Sequence, residues 1–205
     1  MSMTLSKESL NRTLDVVEKA LPRQSTIQHL ENILCEIDPS TITFSSTNLE
    51  LFIKVTLPYE GEASGKVLLP SQITEIARFL PEPEVRFNLN PDNYQVDLSS
   101  GRAHYNLFGA NPADFPPIKK LEPAGDEGLT IEEPCELQEI LKMVVFVAST
   151  EESRPAFNGI LFEFDGNRWS LIGSDTYRLA VKNIYNQNWN FPRRRCLVPA
   201  KALRE

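Results

Sequence analysis

The feature that most restricts the fold is one series of anchors that the chain runs through twice. The first series is Leu10, Leu14 and Val17, then Ile33–Leu34–Cys35–Glu36–Ile37–Asp38, Ser46–Thr47–Asn48–Leu49–Glu50–Leu51 and Leu68–Leu69–Pro70–Ser71. The second is Leu137, Leu141 and Val144, then Ile160–Leu161–Phe162–Glu163–Phe164–Asp165, Ser174–Asp175–Thr176–Tyr177–Arg178–Leu179 and Leu197–Val198–Pro199–Ala200. Matched anchors stay 127 to 129 residues apart, from Leu10 and Leu137 (137 − 10 = 127) to Leu68 and Leu197 (197 − 68 = 129). Self-similarity at a fixed spacing marks a duplicated unit, and a period this long makes the unit a domain rather than a solenoid repeat. Residues 1–118 form the first unit, the polar stretch 119–128 (KKLEPAGDEG) reads as a linker, and 129–205 form the second. The second copy is expected to be incomplete, stopping before the strands that follow its second helix.

Within the first unit the order is helix, strands, helix, strands. Ser6 is placed to cap a helix running to about Leu21, with Leu10, Leu14, Val17 and Leu21 on one face and Glu8, Arg12, Asp15 and Lys19 on another. Strands follow at Ile33–Ile37 and Thr41–Phe44 around the turn Asp38–Pro39–Ser40, and Leu51–Leu57 alternates apolar and polar residues. Pro70–Ser71 opens a second helix with Ile73, Ile76, Ala77 and Leu80 inward, ended by Pro81 and Pro83. Val85–Leu89, Tyr94–Leu98 and Ala103–Phe108 make a meander. The second unit restarts with a helix from Pro134 to about Val147 and a hairpin turning at Asp165–Gly166. A strand at Arg178–Asn183 follows, and Val198–Pro199 leads into another helix. The fold class is α+β: tandem domains, each with two helices packed on small antiparallel sheets.

With 205 residues and 41% hydrophobic content, one or two domains with real cores are expected. Three cysteines (Cys35, Cys135, Cys196) give neither paired metal spacing nor an even disulfide count, which fits a reducing cytoplasm. The opening Met1–Lys7 does not read as a signal peptide, and no apolar run approaches the roughly 20 residues of a membrane span. The net charge of −7 is unevenly spread. Residues 1–118 hold 9 Lys/Arg against 15 Asp/Glu, a net of −6, whereas residues 129–205 hold 10 of each. A nucleic-acid binder needs a basic surface stripe rather than a basic total, so these sums exclude nothing.

Catalytic signatures are missing from the sequence. His29 and His104, the two histidines, lie near no cysteine or acidic pair at metal-ligand spacing, and His104 falls in a strand. No nucleophile elbow, phosphate-cradling loop or dinucleotide fingerprint occurs, and Glu132–Glu133 and Glu151–Glu152 read as solvated ends. No cofactor and no enzymatic activity are expected.

Two longer stretches carry more information. Ser153–Arg154–Pro155–Ala156–Phe157–Asn158–Gly159–Ile160–Leu161–Phe162–Glu163 is followed by Gly173–Ser174–Asp175–Thr176–Tyr177–Arg178–Leu179–Ala180–Val181. Together they resemble the second domain of the bacterial DNA polymerase III beta subunit, the sliding clamp. In the first unit, Arg23–Gln24–Ser25–Thr26–Ile27 resembles that family's loop ahead of its first strand, with Gln28–His29 where a proline is common. Ser100–Gly101–Arg102 with Pro112–Ala113–Asp114–Phe115–Pro116 resembles its closing segment.

The resemblance implies three such domains per full-length chain and a head-to-tail homodimer forming a six-domain ring around double-stranded DNA. Contact with DNA would be sequence-independent, made by positive side chains inside the hole. Carried over residue by residue, the implied DNA-binding positions are Arg23, Arg78, Arg154 and Lys201. Arg23 stands one position earlier than the family's basic residue relative to Thr26–Ile27, and a solvated surface cation is the plain alternative for each. Arg12, Lys19 and Lys142 are diluted by neighbouring Asp15, Glu18 and Glu139, and Arg193–Arg194–Arg195 reads as a solvated run in a loop before a strand. The family also implies a cleft in which DNA polymerase III, the clamp loader and repair polymerases insert short peptide motifs. Phe157, Ser174, Thr176, Tyr177, Arg178 and Leu179 fall at its positions, Tyr177 where histidine is frequent. Two other classes compete: a protein-binding adaptor that never touches DNA, and a DNA-processing enzyme on a duplicated scaffold, which would need an acidic or metal-binding cluster.

Overall fold

The computed structural model describes residues 2–22, 25, 27–59, 61–117, 134–151 and 153–205. It divides into two units, Met1–Lys120 and Leu121–Glu205. The linker at 119–128 lies outside the described residues.

Unit 1 opens with a strand that the helical pattern at its start conceals, β1 (Ser2–Ser6). Its five residues alternate exposed and buried, and its partner lies some eighty residues away in β6 (Glu84–Leu89), a non-local pairing that a local pattern does not reveal. Ser6 ends β1 and caps α1 (Lys7–Val17), its hydroxyl accepting from the Ser9 N–H at 3.4 Å. A single 3₁₀ turn (Glu18–Ala20) completes the expected helix. The strands β2 (Asn32–Ile37), β3 (Thr41–Thr47), β4 (Phe52–Pro58) and β5 (Gly65–Pro70) form one antiparallel sheet in the order β4-β3-β2-β5. After α2 (Ile73–Phe79), the strands β6, β7 (Gln95–Ser100) and β8 (Ala103–Phe108) join β1 in a second sheet, β1-β6-β7-β8. Both sheets and both helices contribute to one core, including Leu10, Leu14, Ile33, Phe44, Leu69, Ile73, Phe87 and Leu98. Cys35 lies in it, and burial pushes its thiol well above the ordinary range, which leaves it an inert packing group.

Unit 2 begins with α3 (Pro134–Val145), and β9 (Gly159–Gly166), β10 (Arg168–Ser174), β11 (Leu179–Tyr185) and β12 (Phe191–Pro199) lead to α4 (Ala200–Arg204). The sheet order is β11-β10-β9-β12, strand for strand that of β4-β3-β2-β5. The β9–β10 turn falls where Asp165–Gly166 predicts it, with Gly166 at φ +59°, the left-handed region glycine enters without a steric penalty. One face of the sheet packs Ile160 and Leu171 against Ile140 and Val144 of α3. Gly173 allows this approach, since a Cβ there would fall 2.8 Å from the Val147 and Ile160 side chains.

Two expectations are corrected. Arg193–Arg194–Arg195 are not in a loop: they lie within β12, which begins at Phe191 rather than after Arg195. Pro192 and a run of cations suggest a loop, but an edge strand tolerates both, and a register shift between Phe191 and Arg194 accommodates them. The matching of the two central turns also moves by one residue. The hydrogen bonds pair Thr47 with Ser174 and Asn48 with Asp175, an offset of 127 (174 − 47), rather than Ser46 with Ser174. The extra residues enter later, between β11 and β12.

Candidate functional site

Pairing across the sheet of unit 2 places Leu161, Ile172, Ser174, Leu179, Val181 and Leu197 on one face, opposite the helices. Leu161 faces Leu197 and Ile172, Ile172 faces Val181, and Ser174 faces Leu179. Lower on the same face, Ser170 Oγ donates to Asn183 Oδ1 at 2.7 Å, and Arg195 donates to Glu163 Oε1 through Nη2 at 2.6 Å and Nε at 2.9 Å. That hydrogen bonding, against some opposing burial, holds the Glu163 carboxyl below its usual range, with Arg168 and Arg193 adding to the Arg195 charge. The outer face is therefore apolar at one end and polar below. The apolar end is open: Leu179 is 66% exposed, Val181 50% and Leu197 48%.

A tight turn overhangs that end. Ser174 Oγ donates to the Arg178 carbonyl at 2.9 Å and accepts from the Thr176 N–H at 3.2 Å. Asp175 Oδ1 accepts from the Tyr177 and Arg178 N–H groups, both at 3.0 Å, and its Oδ2 accepts from Arg178 Nε at 2.9 Å. Burial pushes the Asp175 carboxyl up, but these donors and the Arg178 charge outweigh it and hold the group below the ordinary aspartate range. Thr176 sits at φ +81°, a strained conformation for a β-branched residue. At the tip Tyr177 is 94% exposed, while the Arg178 guanidinium lies 5.5 Å from the ring centroid of Phe146, just beyond α3. Phe157, half-buried in a 3₁₀ turn (Pro155–Phe157), leads into β9 at the end of the sheet where β10 finishes. Five of the six expected cleft residues thus belong to one turn and the first residue of β11, with Phe157 at the same end of the sheet.

Unit 1 carries the same construction with a cover on it. Thr47 Oγ1 donates to Leu51 O at 2.9 Å, Asn48 Oδ1 accepts from Glu50 and Leu51, and Leu49 takes φ +74°. Lower down, Lys66–Glu36 repeats Arg195–Glu163, and Thr43–Thr56 repeats Ser170–Asn183. The apolar end, Leu34, Phe52 and Leu68, is the counterpart of Leu161, Leu179 and Leu197, but Phe115 and Ala110 pack over it. Leu68 is 0% exposed. At the spacing of Leu68 and Leu197, the counterparts of Ala110 and Phe115 would fall at about 239 and 244, outside these 205 residues, so the exposure of this face in unit 2 is that of residues 1–205 alone. Sequence reasoning missed Leu161, Ile172, Val181 and Leu197. The available signal was the unbroken apolar runs Ile160–Leu161–Phe162 and Leu171–Ile172, since a strand with one wet face alternates.

The expected DNA-facing cations fall in different settings. Arg23 lies outside the described residues. Arg154 and Lys201 are exposed, Arg154 beside the 3₁₀ turn and Lys201 on α4, and neither makes an ion pair among the described residues. Arg78 is held by two carboxylates: Nη2 donates to Asp15 Oδ1 at 2.9 Å and Glu18 Oε2 at 2.6 Å, and Nε to Asp15 Oδ1 at 3.3 Å. Arg12 pairs with Glu8 and Lys142 with Glu139, as their spacing predicts.

Comparison with known proteins assigns the chain on both of its units. The profile of the DNA polymerase III beta subunit, N-terminal domain, matches residues 1–119, and that of its central domain matches 132–205. The chain belongs to the DNA polymerase III beta subunit family. The beta sliding clamp of Vibrio cholerae is 27% identical over 208 residues, spanning 100% of this chain and 55% of the relative. That of Halalkalibacterium halodurans is 25% identical over 193 residues, spanning 90% and 50%. This beta-subunit chain thus spans about half the length of the curated relatives it matches. Its fold is that of the Bacillus subtilis sliding clamp (TM-score 0.85, 23% identity) and the Streptococcus pyogenes beta subunit (TM-score 0.88, 22% identity). Each match covers 100% of this chain and 55% of the solved one.

Proposed function

We propose that this chain works as a DNA sliding clamp, a non-catalytic processivity factor in the cytoplasm that encircles duplex DNA and tethers replication and repair proteins. The observation that carries this is the match of both units, in chain order, to the first two domains of the beta subunit. Ring closure is head to tail between two copies, a contact that repeats and closes through rotation. The duplex meets cations on helices and loops, among them Arg154, Lys201, Arg78 and Arg23, which bind phosphate without reading bases. DNA polymerase III, the clamp loader and repair polymerases dock a short peptide on the open outer face of unit 2. Leu179, with Leu161 and Leu197, receives an apolar side chain there, and Phe157, Ser174, Thr176, Tyr177 and Arg178 orient it. Phe115 shows that an aromatic side chain fits the equivalent patch of unit 1. Burying one such anchor is worth about 2 kcal/mol.

The test is retention on DNA. A ring stays on nicked circular DNA and leaves once the circle is cut, so equal retention on both forms would refute encirclement. Reversing charge at Arg154 and Lys201 is expected to weaken association on every sequence and to lower the salt slope by about 0.9 per lost phosphate contact. An unchanged slope removes these residues from the DNA face, and no salt dependence at all favours an adaptor that does not bind DNA.

A further inference from the structure

The helices of unit 1 present a balanced surface rather than a basic one. From Lys7 to Ala20 and from Ile73 to Phe79 they hold four cations (Lys7, Arg12, Lys19, Arg78) and four carboxylates (Glu8, Asp15, Glu18, Glu75). Arg12 is taken by Glu8, and the ammonium of Lys7 donates to the Leu80 carbonyl. Arg78 reaches from α2 across to α1 and the following 3₁₀ turn, where Asp15 and Glu18 enclose its guanidinium. One guanidinium between two carboxylates leaves a net charge of −1 where a phosphate would approach.

We propose that Asp15 and Glu18 act as a built-in stand-in for phosphate, clasping Arg78 so that unit 1 holds DNA weakly and the duplex is gripped mainly from unit 2. This rests on the clamp assignment above. The donors that would meet a phosphate are already occupied, since Nε and Nη2 share one Asp15 carboxylate oxygen while Nη2 also engages Glu18. The exposure decides whether the clasp is a lock or an exchangeable contact. Side-chain exposures are 47% for Arg78, 56% for Asp15 and 40% for Glu18, so water screens all three groups, and exposed pairs of this kind are weak. A passing phosphate can therefore take the guanidinium, but it must displace two carboxylates and remain beside them. The exchange lowers the hold at each step and keeps the contact short-lived, as movement along DNA requires. In unit 2, by contrast, Glu139 takes Lys142 and Arg204 donates to the Val145 carbonyl, but Lys201 on α4 and Arg154 beside the 3₁₀ turn are exposed and make no ion pair among the described residues.

The experiment measures association of the chain with a short duplex of mixed sequence as salt is varied. The substitutions Asp15→Asn and Glu18→Gln together remove the competing charges while keeping side-chain shape. They are expected to raise affinity several-fold at low salt and to steepen the slope of log K against log salt by about 0.9, one added phosphate contact. Adding Arg78→Ala to that pair is expected to abolish the steepening. An unchanged slope in the double variant overturns the clasp, and so does an equal gain when Arg78 is absent, which would mean only diffuse charge removal. If the unaltered chain binds DNA with no salt dependence, the clamp assignment itself fails. Hydrogen exchange at Arg78 Nε–H gives a readout independent of DNA: a modestly slower rate in the unaltered chain than in the double variant is expected, and equal rates in both overturn the proposal.

Discussion

Leu68 and Leu197 occupy one position of the duplicated sheet and differ in what lies above them. Leu68 faces Leu34, sits under Phe115 and is 0% exposed, whereas Leu197 faces Leu161 and is 48% exposed. Replacing Leu68 by alanine removes a fully buried side chain and leaves a cavity that Phe115 fills only in part, which costs about 3 kcal/mol. At Leu197 roughly half of the transfer term is already absent and water fills the vacated space, so the cost falls to about 1 kcal/mol. The two units can be followed separately in urea, because both tryptophans, Trp169 and Trp189, belong to unit 2. Tryptophan fluorescence is expected to shift its midpoint slightly for Leu197→Ala and not at all for Leu68→Ala. Hydrogen exchange across β2 and β5 is expected to show a much larger loss of protection for Leu68→Ala. Leu197→Ala is further expected to weaken binding of a peptide with an apolar anchor, since it thins the floor of the open patch. If Leu197→Ala destabilised unit 2 as much as Leu68→Ala destabilises unit 1, the patch would be covered in solution and could not be a docking surface.

The turn over the patch yields two more expectations. Asp175→Asn keeps an oxygen for the Tyr177 and Arg178 N–H groups, as Asn48 does in unit 1, so their exchange protection is expected to survive; Asp175→Ala is expected to lose it. The Asp175 carboxyl titrates below its unfolded value of about 3.9, so its contribution is complete above that pH and fades as pH falls through the lower folded value; loss of turn order near neutral pH, followed by amide shifts, would contradict this. Thr176→Gly relieves a β-branched residue at φ +81° and is expected to stabilise unit 2 by about 1 kcal/mol, or less once the entropy of the added glycine is subtracted, read as a higher urea midpoint.

The parts of the fold that repeat locally were legible in the residues. The Ser6 cap, the Asp165–Gly166 turn and the inward face of α2 each follow from a few neighbouring side chains. The register of the turn pair was not, because Ser46–Thr47 and Ser174 offer two hydroxyls to one, and only the hydrogen bonds show that Thr47 is the match. The extent of β12 was hidden by Pro192 and three arginines, which look like loop until Glu163 is seen across the strand from Arg195. The turn at 174–179 was legible through its motif, but the apolar floor beside it was not. Leu161, Ile172 and Leu197 read as core in a one-dimensional pattern, and only strand pairing puts them on the outer face. Arg78 was legible as a helix cation, yet its partners lie 60 and 63 residues away.

The shared turn also bears on how two copies of one design can diverge. Its shape is held at the base, by a hydroxyl at Thr47 or Ser174 and an oxygen at Asn48 or Asp175, while among the described residues the side chains of Glu50 and Tyr177 at the tip make no hydrogen bond. Selection for folding therefore acts on the base and leaves the tip free to change. Glu50 in one copy and Tyr177 in the other are two outcomes of that freedom. New specificity can be written at the tip of either copy without disturbing the sheet beneath it.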